Sequence, residues 1–301
     1  MASPATSRAT LRGFSRNTLQ GLRIGWKGHG DDMGSALTHI DKHSHFNDLD
    51  VSSEYIRRTL SPKYFTHTER FYHVPALNAE IAIANNLEWE VIGDNMTAVL
   101  TTYATGGGIT LTTAGADADQ GILRSHLDTK QSALAQIDWS TSREPYMRVD
   151  LVTGASVADI ALWARFASTD SLSEATAALL ISDPADQFGF LFGEATGDFN
   201  TTWSAVTSRG GTDTQTNSLK LADNTASGVT VAASTLYRME FWLDSDRKPH
   251  YYINDIKVAT ADNTALGAVT TLDPYIGVMA EGAAAAKAVT IRSLTVSQLY
   301  G

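Results

Sequence analysis

Two carboxylates, Glu88 and Glu90 in the run LEWEV, stand two positions apart and would project from one side of a strand. Paired acids of this kind can divide the acid and base work of glycoside hydrolysis. No third acid and no aromatic platform accompanies them in the sequence, so they read as an exposed strand face. A denser set of ligand-type side chains is His29, Asp31, Asp32, His39, Asp41, His43, His45 and Asp48. In an extended chain His43 and His45 would send both rings to one side, a geometry zinc or nickel can use. The spacing matches no helical His-x-x-x-His pair, and a polar loop accumulates such residues, so no metal is expected. Asp244 and Asp246 could offer oxygens to calcium. An Asp-Ser-Asp-Arg sequence is more simply a tight turn. Trp163, Trp203 and Trp242 could line a concave sugar-binding face, and each also fits a half-buried sandwich strand, which is the first reading.

Other signatures are absent. Gly106-Gly107-Gly108 lacks the Lys-Ser/Thr of a phosphate loop and reads as a turn. There is no Gly-x-Ser-x-Gly, and the chain has no cysteine, which removes disulfides, thiolate metal sites and a cysteine nucleophile. The expectation is therefore a protein without catalytic residues or cofactor.

The elements that must position these residues begin with a basic arm. Residues 1–30 carry Arg8, Arg12, Arg16, Arg23 and Lys27 and no acid, so a net charge of −10 for all 301 residues leaves about −15 for the remainder (−10 minus +5). Residues 1–35 are rich in Ser, Thr, Arg and Gly and bury too little apolar surface to offset chain entropy alone. Phe14 and Trp26 among the cations could anchor such an arm along another subunit. Five cations without interleaved aromatic stacking, in an otherwise acidic chain, make nucleic acid a minor option. No stretch approaches the roughly 18 apolar residues of a membrane span, and no apolar run early in the chain has signal-peptide length. The chain reads as made in a cytoplasm and kept there unless carried out as part of an assembly.

Residues 36–85 form a mixed clamp or linker. Asp50–Leu60 predicts a short helix starting near Ser52 or Ser53, Tyr64–Val74 reads as extended, and Val74–Ala84 fits strand or helix. From residue 86 to 301 short β segments repeat: 87–92, 96–103, 109–113, 146–153, 159–168, 187–193, 201–208, 274–280 and 289–297. Their most legible member is the meander STLYRMEFWLDSDRKPHYYINDIKVAT, residues 234–260. Tyr237, Met239, Phe241 and Leu243 alternate with Arg238, Glu240, Trp242 and Asp244, the period of a strand with one face in a core. About a dozen strands at intervals of roughly 10–15 residues predict a mainly β, antiparallel two-sheet sandwich.

The string YRMEFWLDSDRKPHYYINDIKVAT, followed by the returning strand VTIRSLTVSQ, resembles the end of a concanavalin A-like or laminin-G-like jelly roll. The segments GGGITLTTAGADADQGIL, LYRMEFWLDSDRKPHYYIND and PYIGVMAEGAAAAKAVTI together also resemble virion proteins of tailed bacteriophages, over roughly residues 86–299. The resemblance implies a structural virion protein assembled in the host cytoplasm, with capsid decoration or cementing as the first role. Its partner would be the major capsid protein or another virion protein. Arg8, Arg12, Phe14, Arg16, Arg23, Trp26 and Lys27 would dock the arm, and a symmetric homo-oligomer, a trimer among the options, would cover edge strands. The other expectation is a carbohydrate-binding appendage or tail-fibre module using Trp163, Trp203 and Trp242.

Overall fold

The alternation in the meander is realised on its core face, where Tyr237, Met239, Phe241 and Leu243 are buried; on the opposite face Arg238 and Trp242 are half-buried, and Glu240 is buried beside Arg148. The structure is a computed structural model that describes residues 53–72, 76–77, 88–102, 105–117, 119–125, 137, 139–168, 187–193, 199–208, 225–260, 266, 271–281 and 285–300. The chain divides into two units, Met1–Phe65 and Thr66–Gly301.

In the first unit, helix α1 (Ser53–Leu60) forms where the sequence predicts it. Arg57 and Arg58 both bond Glu54 one turn back and lie over the Tyr64 ring, at 5.0 and 4.8 Å from its centroid. Burial alone would raise the Glu54 carboxyl, but the hydrogen bond from Arg57 and the charges of both arginines hold it below its usual range.

The second unit is a two-sheet jelly-roll sandwich. One sheet runs β15 (Ile256–Thr260), β14 (Pro249–Ile253), β13 (Leu236–Leu243), β8 (Tyr146–Thr153), β17 (Ala288–Leu299), β5 (Ile109–Thr113), β4 (Met96–Leu100). Its eighth member, β1 (Tyr64–Glu69), pairs with β17, where Thr66 Oγ1 donates to Ser297 Oγ at 3.0 Å. The nine-stranded sheet runs β12 (Thr225–Thr230), β11 (Phe199–Ser208), β10 (Gln187–Gly193), β9 (Ile160–Ser168), β16 (Thr271–Ala280), β6 (Gln120–Ser125), β3 (Trp89–Asp94), β2 (Ala76–Leu77), with β7 (Trp139–Ser140) beside β16. Strands β8 and β17, β9 and β16, and β13 and β14 pair antiparallel, whereas β2 and β3 pair in parallel. Non-consecutive strands lie side by side in both sheets, as β8 with β17 and β9 with β16, so the chain crosses between layers repeatedly.

An aromatic layer joins the sheets. Phe166, Phe188 and Phe190 of the nine-stranded sheet meet Phe241 edge-on at 6.2, 5.7 and 5.8 Å, and Phe190 meets Tyr251 at 5.5 Å. Each such ring contributes about 1.5–3 kcal/mol by burial, and each pair about 0.5–1.5 kcal/mol more. The Tyr251 hydroxyl keeps its polarity satisfied in this layer by donating to Val206 O at 2.7 Å.

The sandwich unit takes in β2 and most of β1, upstream of position 86 where the strand repeats were expected to begin. The open reading of Val74–Ala84 resolves at its start, where Ala76–Leu77 is the short strand β2. Strands β6, β7 and β12 were not anticipated from the sequence.

Candidate functional site

Strand parity divides the nine-stranded sheet into two unlike faces. Phe166, Phe188 and Phe190 point into the layer between the sheets, so Trp163 and Arg165, out of phase with Phe166, point the other way. Register places a single row on that second face: Glu90 lies opposite Arg124, Arg124 opposite Tyr275, Tyr275 opposite Arg165, and Arg165 opposite Gly189. Four strands far apart in sequence thus supply acid, base, phenol and base in one line.

This face is buried as well. Glu90, Tyr275 and Gln187 are each 0% exposed, Arg165 3% and Asp273 4%. Arg124 Nε bonds Glu90 Oε1, and Arg165 Nη1 donates to Gln187 Oε1 at 2.5 Å. Ser125 Oγ donates to Asp273 Oδ1 at 3.2 Å. Burial opposes the Arg124 charge, but Glu90 and Tyr275 beside it hold its pKa above the usual value. Burial pulls Arg165 down to about 10, against the raising influence of Tyr275. Burial and then the Asp273 charge push the Tyr275 phenol far up, more than Arg124 and Arg165 pull it back. The phenol stays protonated throughout the physiological range, and each charge in the row has an opposite or polar neighbour.

The expectation of an exposed Glu88–Glu90 strand face is therefore corrected at Glu90, which is buried against Arg124 because β6 pairs directly alongside β3. Trp163 and Trp203 lie in the interior at 1% and 0% exposed, out of reach of a surface ligand. Trp163 stands over Gly277 in a cluster with Ile122, Leu191 and Met279. Trp203 packs against Phe192 and Tyr237 at 5.9 and 5.6 Å. The three tryptophans do not share a surface.

Trp242 reaches solvent, on the outward face of the eight-stranded sheet. Its ring is stacked with His250 at 5.2 Å and 12°, and with Tyr252 at 5.0 Å and 19°. Tyr146, opposite it on β8, adds a tilted contact at 6.3 Å. Ion pairs flank this ladder: Arg148 with Glu240 at 3.6 Å, and Arg238 with Asp150 at 3.1 Å and Asp255 at 3.3 Å. His250 Nε2 is 2.9 Å from Asp244 Oδ2. Burial works to raise the Asp244 carboxyl, but its bonds from His250, Lys248 N and Asp246 N hold it below the usual range. Asp244 and Asp246 are thus a turn, as their spacing predicts. With His250 and Tyr252 stacked on the Trp242 ring, the ladder offers ring edges beside ion pairs whose charged groups can bond hydroxyls.

Arg8, Arg12, Phe14, Arg16, Arg23, Trp26 and Lys27 lie outside the described residues, as do His29, His39, His43 and His45. No group of three or more metal-ligating side chains occurs among the described residues. No described helix is long and apolar enough to cross a membrane. The row of Glu90, Arg124, Arg165 and Tyr275 escaped the sequence reading. Its one local trace is a charge inside an apolar strand, Arg165 in ALWARFAS.

No family model and no curated protein matches the chain. Solved structures do. The protein of unknown function SO2946 from Shewanella oneidensis MR-1 is 12% identical, with a TM-score of 0.51 over 78% of this chain and 87% of that one. The potassium-bound carbohydrate recognition domain of Emp46p is 7% identical, with a TM-score of 0.48 over 69% and 88%. Peanut lectin is 13% identical, with a TM-score of 0.48 over 78% and 97%. At 12% identity the likeness to SO2946 extends to the fold alone.

Proposed function

We propose that this chain is a non-enzymatic structural protein of a tailed-phage virion, of the capsid decoration type, held by its basic N-terminal segment and displaying the jelly roll. The observation that carries this reading is the separation of charge: +5 in residues 1–30 against about −15 in the rest (−10 minus +5), which suits a segment that binds an acidic neighbour while the sandwich stays free of it. The three virion-like segments support it. They fall on β5 and β6, on β13 and β14, and on β16 and β17, which belong to both layers. A non-catalytic role is supported by Glu90, whose carboxylate is committed to Arg124.

The test is co-sedimentation of the full chain with capsids lacking it, followed by capsid survival under heat and low salt. Binding that toughens the shell, and is lost when Arg8, Arg12, Arg16, Arg23 and Lys27 are all changed to Gln, supports the reading. Failure of the unaltered chain to bind overturns it.

The Trp242 ladder favours a second reading, glycan binding by a host-adhesion appendage. Retention on a glycan array that Trp242→Ala abolishes supports it, and an array without hits rejects it.

A further inference from the structure

We propose that the free edge of β4 is the contact through which two copies of this chain pair, strand against antiparallel strand, about a two-fold axis at Ala98. Independently of the proposed function, the other edges of the two sheets are protected. Exposed strand edges invite pairing with another chain, and proteins blunt them with charge, bulges or brevity. The β12 edge carries Gly228 at φ +75° and a register break in its pairing with β11. The β15 edge carries Lys257 and a register break opposite Tyr251 and Tyr252. The strands β2 and β7 are two residues long, and β1 carries His67 and Glu69.

The β4 edge has none of these devices. Its five residues pair with β5 in unbroken register, Met96 with Thr113 through Leu100 with Ile109. From Asn95 to Ala116 the sequence has no charged residue, in a chain of net charge −10. Two copies repel through most of their surfaces but can approach here without opposing like charges.

The ladder also says which groups are available. Thr101 N donates to Gly108 O, and Ala114 N donates to Asn95 O, so residues 95, 97, 99 and 101 turn their backbone groups toward β5. Met96, Ala98 and Leu100 turn theirs to the open edge, where β4 has no further strand among the described residues. An antiparallel pair centred on Ala98 matches Met96 with Leu100 of the second copy, and satisfies the N–H and C=O of all three residues in both copies. The same register sets Val99 beside Thr97 of the second copy. Val99, 60% exposed in the single chain, would be covered. The interface is self-complementary and closes with two copies.

Light scattering on the full chain, with amide exchange read by NMR, tests the pairing. A dimer is expected in which the Met96, Ala98 and Leu100 amides exchange slowly. Ala98→Pro removes the central outward donor without touching the bonds to β5, and should weaken the dimer about 100-fold. Val99→Lys puts a cation into each half of the contact. It should produce a monomer with fast exchange at these three amides, and covers the case in which Ala98→Pro fails to fold. Ile256→Lys on the β15 edge should leave the dimer intact. A wild-type monomer at 100 μM protein overturns the proposal, as does a dimer that Val99→Lys leaves unchanged or one whose three amides exchange freely.

Discussion

The Trp163 indole lies against the α-carbon of Gly277, directly opposite on β16, so closely that a β-carbon added at Gly277 would stand 2.2 Å from the ring. The glycine creates the space for the tryptophan. Gly277→Ala should therefore overpack this face and cost about 1–3 kcal/mol, read as a lower urea midpoint at unchanged slope. If the midpoint holds, the ring has room to move aside.

Glu90 and Arg124 form the end of the row across the nine-stranded sheet, and Glu90 is buried while Arg124 is nearly so. Replacing one partner leaves a buried charge uncompensated, which typically costs about 3–5 kcal/mol. Glu90→Gln should fall near the lower end of that range, since the amide oxygen can still accept from Arg124. Glu90→Leu should fall near the upper end. Chemical denaturation orders the two variants, and equal losses would show that the charge, which both remove, sets the cost and the retained acceptor contributes little.

The difference between what the sequence revealed and what it hid follows from distance along the chain. Residues 109–113, 146–153 and 187–193 were expected as strands and are β5, β8 and β10. In Tyr146–Thr153 the signal is local alternation, 109–113 lies between Gly108 and Gly115, and 187–193 is a short apolar run after the polar stretch 183–186. Strand β12, TASGVT, was invisible because it has a single large apolar residue, and β6, QGILRS, because its polar ends hide a short core. Trp242 could be placed on the outer face, since it is out of phase with Tyr237, Met239 and Phe241. Trp163 could not, because ALWARFAS is apolar on both faces and only its pairing decides. The row of Glu90, Arg124, Tyr275 and Arg165 exists only through the register of β3, β6, β16 and β9.

Asp244 organises the turn from β13 to β14, with Oδ1 accepting from Asp246 N and Lys248 N, both at 2.9 Å, and Oδ2 beside His250. Asp244→Ala removes all three contacts, and losing a cap of this kind costs about 1 kcal/mol. It also frees the His250 ring that stacks on Trp242, so the near-ultraviolet circular dichroism should weaken along with stability. Asp244→Asn should preserve most of the turn. A spectrum unchanged in Asp244→Ala would show that the ladder holds its own geometry.

His67 gives the sandwich a dependence on mild acid. Its ring lies 6.3 Å from Trp89, and its Nε2 is buried and 3.9 Å from Glu69 Oε2. Burial lowers its pKa below 6.5, more than the charges of Glu88 and Glu69 raise it. The folded protein thus prefers the neutral ring, whereas the unfolded chain takes up a proton as pH falls through about 6.5. The stability this preference contributes is complete above that value, and is lost progressively as pH drops from 6.5 through the lower folded value. Thermal melts of the wild type should fall between pH 7 and pH 5, and His67→Gln should flatten that slope while the loss below pH 4, where carboxylates such as Glu54 and Asp244 protonate, persists. A slope unchanged by His67→Gln would assign the proton uptake to another group.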